Sequence, residues 1–548
     1  MPNLLAGGAN LSFTEGTSLA TVSGDISARS LTFALSDHFE LAGVPGSCLN
    51  LGYGGISVAN VSQGSVSPVT NTVSANIANS ITEPGDVSVG NDVVLRLKGS
   101  FTGGSGGSPV TVTASGEVII EGDNSKLHSP LVLTTPNEVN SIPFVLRVRH
   151  PRALGSIDRQ TTIVCPCIRF ECLTNDVPIA VKGYGMTVYS YDGSSSVKRL
   201  VEAGRTLVLN GLMASYGNVC GSWNMDGITL RGGFKANGGG LTFVVSEGAR
   251  MNLESGVDMA GSTKQYALGF SGKGDVYMSA ATHGYFRISL LDDVRLVCVD
   301  EGALSADRPV CFGNSTEPKG RLDLCGTDQE VAFLSHLLCD ETYRNQYGGV
   351  TSGEAFGTVT SSTPATLTLN GLLTDDQCNR EHIYSCMPTN AAVKFTGCAA
   401  LHFAGCDGSA EQVFSYVASD STGDLRVSSG TLSFDKGAGW SAARNVLVDG
   451  SGVIKSDAAS ANVLFGRKAG ASRASLRIDG NGKLALPSQS QATVNMLKIG
   501  SDENGFMPAG VYGGEEAGLD AAHTLQCLTG GGTLRVRSSG PGMVLTVK

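Results

Sequence analysis

Apolar and polar residues alternate in short runs along most of this chain, and each run is closed by glycine, asparagine or aspartate. The pattern is plain in ISARSLTF (26–33), VVLRLKGSF (93–101), VTVTASGEVIIEGDN (110–124) and GLTFVVSEGARMNLESGV (240–257). It returns in ATLTLNGLL (365–373), GDLRVSSGTLSFDKGA (423–438) and ASLRIDGNGKLAL (474–486). A period of two turns one side of a strand to a core and the other to solvent, so the sequence predicts many short, half-buried strands. Helical periodicity is scarce. EVAFLSHLLCDETYRN (330–345) either lines one helix face with Val331, Phe333, Leu334, Leu337 and Leu338 or forms a strand followed by a loop.

A strand of five residues with one apolar side cannot bury that side alone, whereas coils stacked at ~4.8 Å share a core. The expected fold is therefore all-β: a right-handed parallel β-helix, or solenoid, with short strands and Gly/Asn turns. At ~25 residues per coil the chain makes about twenty coils. It reads as one continuous solenoid over 1–548, with N-terminal repeats in 1–135, central coils with longer loops in 136–420, and C-terminal repeats and a cap in 421–548. An array of β-sandwiches would show linkers and separate core clusters every ~100 residues, and no such composition break is present. Gly116, Gly122, Gly240, Gly320, Gly326, Gly430, Gly480 and Gly482 border the runs, where positive φ would turn the chain. Asn124, Asn210, Asn370 and Asn481 are placed to bond turn backbone or stack in ladders.

Composition narrows the function classes. The 73 glycines and 16% charged residues accompany 41% hydrophobic residues, too apolar a mixture for a disordered linker. A net charge of −10 with no dense Lys/Arg stretch argues against a nucleic-acid partner. No stretch approaches the ~20 apolar residues of a spanning helix, and residues 1–28 lack a basic start followed by an apolar run. Fourteen cysteines permit disulfides. Cys165, Cys167 and Cys172 cluster, as do Cys378, Cys386, Cys398 and Cys406, but neither group has the paired spacing of a structural zinc site. Buried thiols or occasional disulfides are expected, with no metal and no cofactor.

VTVTASGEVIIEGDNSKLHSPLVL (110–133), RVRHPRALGS (147–156), GRLDLCGTDQEVAFL (320–334) and TPATLTLNG (363–371) resemble the autotransporter-associated β-strand repeat. TLSFDKGAGW, VLVDGSGVI, LRIDGNGKLAL, VNMLKIG and MPAGVYG follow in an order similar to that in large bacterial surface proteins. The resemblance implies a passenger-like surface β-helix, secreted or held on a bacterial cell surface, and carries no catalytic residue. The expected function is noncatalytic scaffolding or adhesion, with cell-surface, matrix or polysaccharide partners and end-to-end self-assembly into a fibre.

The enzymatic alternative is a polysaccharide hydrolase or lyase on the same fold. Asn224–Gly227 (NMDG), His283-Gly284, Arg287-Ile288 and the pair Asp292 and Asp293 superficially resemble the polygalacturonase set, in the wrong order. Inverting hydrolysis needs two carboxyl groups roughly 6.5–9.5 Å apart, which makes Asp226, Asp292 and Asp293 the candidates. An aspartate at a turn is more often a solvated corner. His150, His283 and His402 are scattered, and GGSGG (103–107) and NGGGL (237–241) lack a phosphate-binding context. For a glycan-binding module, Tyr53, Tyr184, Tyr189, Tyr191, Trp223 and Trp440 offer rings that stack on sugars if exposed. Tyr189 and Tyr191 would share one side of a strand, and with Trp223 they are the candidate binding residues.

Overall fold

A computed structural model describes residues 9–14, 18–60, 68–79, 85–104, 107–136, 145–164, 167–182, 186–190, 207–217, 221–238, 240–259, 267–285, 287–313, 319–336, 356–372, 390–406, 408–441, 445–466, 474–501 and 505–538. Of residues 60, 79, 167, 181–182, 186–190, 215–217, 221–224, 237–238 and 390 it describes the backbone alone. The chain is all-β with long parallel sheets. It divides into two compact units, Met1–Thr263 and Lys264–Lys548.

In the first unit two ladders run in parallel throughout. Ladder 1 orders Ala9–Phe13, Asp25–Leu35, Cys48–Asn60, Val87–Val89, Val110–Ala114, Leu131–Thr134, Thr161–Val164, Ile179–Lys182, Met213–Gly217, Phe234–Gly238 and Val257–Asp258. Ladder 2 orders Leu19–Val22, Phe39–Gly43, Val69–Val73, Val93–Leu97, Glu117–Ile120, Val145–Val148, Cys167–Phe170, Met186–Ser190, Gly221–Asn224 and Leu241–Val245. Ladder 3 stacks Thr174–Asn175, Leu207–Leu209, Ile228–Leu230 and Arg250–Leu253.

Strands that follow one another in the sequence alternate between ladders, and each pairs with its counterpart roughly 20–35 residues on, within the range of solenoid repeats. Register is set by the apolar positions. On ladder 1, Leu31, Ile56, Val87, Val112, Leu133 and Ile163 lie opposite one another in turn, all buried. On ladder 2, Leu41, Val73, Leu97, Ile120, Val148 and Phe170 do the same. A one-residue slip would expose a whole column, at about 1.5–3 kcal/mol per side chain.

The strand Cys48–Asn60 serves two neighbours: Cys48–Leu51 pair with Asn76–Asn79, and Ile56–Val58 pair with Val87–Val89. Gly55 makes the bend between the halves, with φ 63° and so close an approach that a Cβ would lie 1.8 Å from the Asp86 carbonyl oxygen. Gly116 and Gly122 show the second effect without the first. A Cβ there would fall 2.2 Å from the Val93 oxygen and 2.1 Å from the Gly99 oxygen of the preceding coil. Gly326, Gly430 and Gly480 take positive φ, as the sequence suggests, with close approach to Ala410 O as well at Gly430, whereas at Gly116, Gly122, Gly320 and Gly482 φ is not positive and close stacking of backbones is the reason.

In the second unit, one ladder orders Leu268–Gly272, Ile288–Leu290, Val310–Phe312 and Leu334–His336. A longer one orders Asp275–Met278, Arg295–Cys298, Arg321–Asp323, Gly357–Leu369, Val393–Ala404, Leu425–Ser429, Asn445–Val448, Ser475–Ile478 and Met496–Ile499. A third orders Asn390–Ala391, Glu411–Ser415, Thr431–Asp435, Val453–Ser456, Lys483–Ala485 and Leu528–Thr529. Gln329–Val331 and Leu334–His336 are strands, so the described part of the 330–345 segment takes the strand alternative, and residues 337–345 lie outside the described residues. Beyond Met496–Ile499 antiparallel pairing joins the parallel: the Ile499 amide donates to Gly505 O at 3.0 Å and the Met507 amide to Leu497 O at 2.9 Å, while Gln491–Val494 pairs parallel with Thr533–Val536. Gly510–Gly513 pairs antiparallel with Thr533–Val536. Helix α1, Ala458–Ala461, is a single turn capped by the Asp457 side chain. Among the described residues no helix is long and apolar enough to cross a membrane.

Candidate functional site

Alternation leaves the charged residues of ladder 2 on its solvent side, where stacking brings them into contact. Arg96 lies opposite Ile119, Ile119 opposite Arg147, and Arg147 opposite Arg169. Glu121 follows one of these strands, and Arg149 and Glu171 follow the next two. The ion pairs run Arg96–Glu121 at 2.8 Å, Glu121–Arg149, Arg149–Glu171, Glu171–Arg147 at 3.0 Å and Arg147–Glu117. Desolvation pushes the Glu121 carboxyl up, but bonds and charge from Arg96 and Arg149 outweigh it and hold it below the usual glutamate range.

Corners beside ladder 3 carry a similar chain: Arg152–Asp176 at 2.8 Å, the Asn210 amide donating to Asp176 at 2.7 Å, and Arg231–Glu254 at 2.9 Å. Asn124 is buried. Its Oδ1 accepts from the Phe101 amide and its Nδ2 donates to Ala153 O, both at 2.6 Å, so it bridges coils on both sides. Asn370 acts similarly in the second unit, donating to Ala306 O at 2.8 Å.

The hydrolase candidates are tied to turns. The Asp226 carboxylate accepts from the Ser246 amide at 2.7 Å and is 6% exposed. Asp292, at φ 58°, accepts from the Ser271 hydroxyl and from the Gly272 amide at 3.1 Å. Asp293 forms an ion pair with Arg321 at 3.2 Å. Asp226 belongs to the first unit and the adjacent pair to the second. Arg287 is buried and donates to the Ser289 hydroxyl at 3.1 Å, while His283 is exposed. His402 is half-buried 2.9 Å from the Ser428 hydroxyl, and burial, reinforced by the Arg426 charge, lowers its pKa and favours the neutral ring.

Tyr189 lies in Met186–Ser190 opposite Arg169, and Trp223 lies in Gly221–Asn224 between Met186 and Phe243. These placements are of backbone. Tyr184 and Tyr191 lie outside the described residues. Trp440 is fully buried, packs against Phe395 at 4.9 Å between ring centroids and donates its indole N–H to Gly423 O at 3.3 Å, so it offers no surface ring. Tyr53 is 54% exposed, with the Arg29 guanidinium 5.4 Å from its ring centroid.

The described thiols of Cys48, Cys172, Cys298, Cys311, Cys325, Cys398, Cys406 and Cys527 are unpaired. Burial raises the Cys298 thiol pKa and pushes that of Cys172 up to about 12, so both stay protonated and are poor nucleophiles. No group of three or more metal-ligating side chains is assembled among the described residues. The sequence pattern marks the outward positions, but it misses the Arg–Glu row, because turns of unequal length hide which outward residues become neighbours. Comparison with family models, with curated proteins and with solved structures finds no match to this chain.

Proposed function

We propose that this chain is a right-handed parallel β-helix of the autotransporter-associated repeat kind and works as a noncatalytic extracellular or cell-surface scaffold. It presents its outward rows to cell-surface, matrix or polysaccharide ligands and assembles end to end into a fibre. One observation carries the noncatalytic part: the carboxylates best placed in sequence for hydrolysis, Asp226, Asp292 and Asp293, are each bonded to turn backbone, a turn hydroxyl or an arginine. A general acid needs a carboxyl free to reach its substrate, and inversion needs a second one across a water-sized gap. Long parallel ladders supply the rigidity that a scaffold requires.

The test incubates the protein with neutral and anionic polysaccharides and reads both retention and new reducing or unsaturated ends. Retention without new ends is expected. Cleavage lost in Asp226→Asn, Asp292→Asn or Asp293→Asn would establish an enzyme instead. Electron microscopy at high concentration should show end-to-end filaments, and monomers alone would remove the fibre.

A further inference from the structure

Ladder 1 of the first unit carries a solvent-side column unlike the charged rows. Ser12 lies opposite Thr32, Thr32 opposite Ser57, Ser57 opposite Ser88, Ser88 opposite Thr113, and Thr113 opposite Thr134. Six consecutive rungs thus present one hydroxyl each, at about 4.8 Å spacing along the column. Ser12, Ser57 and Ser88 are exposed, and the three threonines are half-exposed between buried neighbours such as Leu31, Phe33, Val112 and Leu133. The hydroxyls of Ser12, Thr32, Ser57, Ser88 and Thr113 have no hydrogen-bond partner among the described residues. Each can donate one bond and accept two.

The surroundings select the partner. Among the six strands, the charged residues are Asp25, before the register shift that precedes Thr32, and Arg29, within that shift and 5.4 Å from the Tyr53 ring centroid. Asp86, beside the column, is an exposed carboxylate that accepts from the Thr111 amide at 2.8 Å. The rungs themselves carry no charged side chain, with Asp86 beside Ser88 and Arg29 beside Tyr53 only at the margin, so the column gives an anionic or cationic polymer no row of ion pairs along its length and suits a neutral one. A partner that also carries hydroxyls can both give and take bonds at every rung. Size excludes a second copy of the chain: six rungs by a three-residue strand cover a strip about 25 Å by 10 Å, well short of the ~800 Å² per partner of a stable protein interface. A linear polymer needs only a strip. Tyr53, on the strand that carries Ser57 but before its Gly55 bend, adds a 54% exposed ring with the Arg29 guanidinium 5.4 Å from its centroid, a ring suited to the apolar face of a sugar.

We infer that this column, with Tyr53 at its flank, is a binding strip for a neutral polysaccharide, held by many weak bonds along successive coils. The inference rests on the adhesive reading above and gives it a ligand class. Insoluble cellulose and chitin are the probes, with soluble polygalacturonate as the anionic comparator. The full chain should be retained on at least one neutral glycan. A variant combining Thr32→Val, Ser57→Ala, Ser88→Ala and Thr113→Val keeps side-chain shape, and should lose retention by roughly tenfold or more at an unchanged denaturation midpoint. Tyr53→Ala should weaken retention as well. Should the fourfold variant misfold, Ser88→Asp, a single solvent-side charge, replaces it.

Retention unchanged in folded column variants would overturn the strip and leave the adhesive reading intact. Retention by polygalacturonate alone would overturn the ligand class. Self-association of the wild type that the column variants abolish would identify a second copy as the true occupant. Cleavage of a glycan by the wild type and the column variants alike would refute the proposed function instead.

Discussion

On ladder 2 of the first unit, the solvent side holds Arg96, Glu121, Arg149, Glu171, Arg147 and Glu117 in one connected run of ion pairs. On ladder 1, the same stacking of strands holds Ser12, Thr32, Ser57, Ser88, Thr113 and Thr134, and most of their hydroxyls have no partner among the described residues. The backbone geometry is common to both. The difference lies in what the side chains require: a partly buried charge must be paired, whereas a small exposed hydroxyl is satisfied by water until a ligand replaces it. One ladder therefore spends its outward chemistry on its own stability, and the other leaves it open to the ligand proposed above.

The most damaging change strikes the interior on which both ladders rest. Phe33 is fully buried, with its ring centroid 5.3 Å from that of Phe13 and 5.6 Å from that of Phe39 on ladder 2. Phe33→Ala should cost about 3–5 kcal/mol in denaturant unfolding. A cost below about 1 kcal/mol would mean that the ladders do not share a core there.

Asn124→Ala comes next. It leaves a buried amide and a buried carbonyl without partners, for a loss of about 2–3 kcal/mol by the same assay. Glu171→Ala should cost about 1–3 kcal/mol, because the Glu171 side chain is 7% exposed and serves both Arg147 and Arg149. An unchanged midpoint would show that the ladder 2 row is decoration. Asn71 carries the opposite sign. It is fully buried between Phe39 and Leu95, and neither polar atom of its side-chain amide has a partner among the described residues. Asn71→Leu should therefore raise stability by about 1 kcal/mol.

Acid and point substitution separate the two outer rows most finely. Glu121 has a folded pKa below its unfolded value, so its contribution is fully present above the ordinary glutamate pKa and fades as pH falls through the lower folded value. Stability measured across that window should drop in the wild type, and the drop should shrink in Glu121→Gln. Ser88→Ala, on the hydroxyl column, should leave stability within about 0.5 kcal/mol at either end of the window. A larger loss would give the column a structural role.

Much of the fold is legible in the sequence wherever both neighbours of a position are local. VTVTASGEVII shows its strands directly, because Val110, Val112 and Ala114 are buried and Thr111 and Thr113 half-exposed. The 330–345 segment is less legible. Val331, Phe333 and Leu334 fit a helix face as well as a strand, and pairing with Gly357–Leu369 and Val310–Phe312 decides for strands. Trp440 was equally ambiguous: its residue type suits a sugar platform, and only its packing against Phe395 removes it from the surface.

The sequence by itself determined the alternating strands, their all-β character, the scarcity of helix and the positions that face outward, because each depends on residues two or four apart along one strand. Tertiary structure decided which outward residues form rows. Ser57, Ser88 and Thr113 stand at uneven intervals, as do Glu121, Arg149 and Glu171, and no sequence period connects them. They become neighbours because the buried aliphatic columns fix the register and the turns absorb the difference in length.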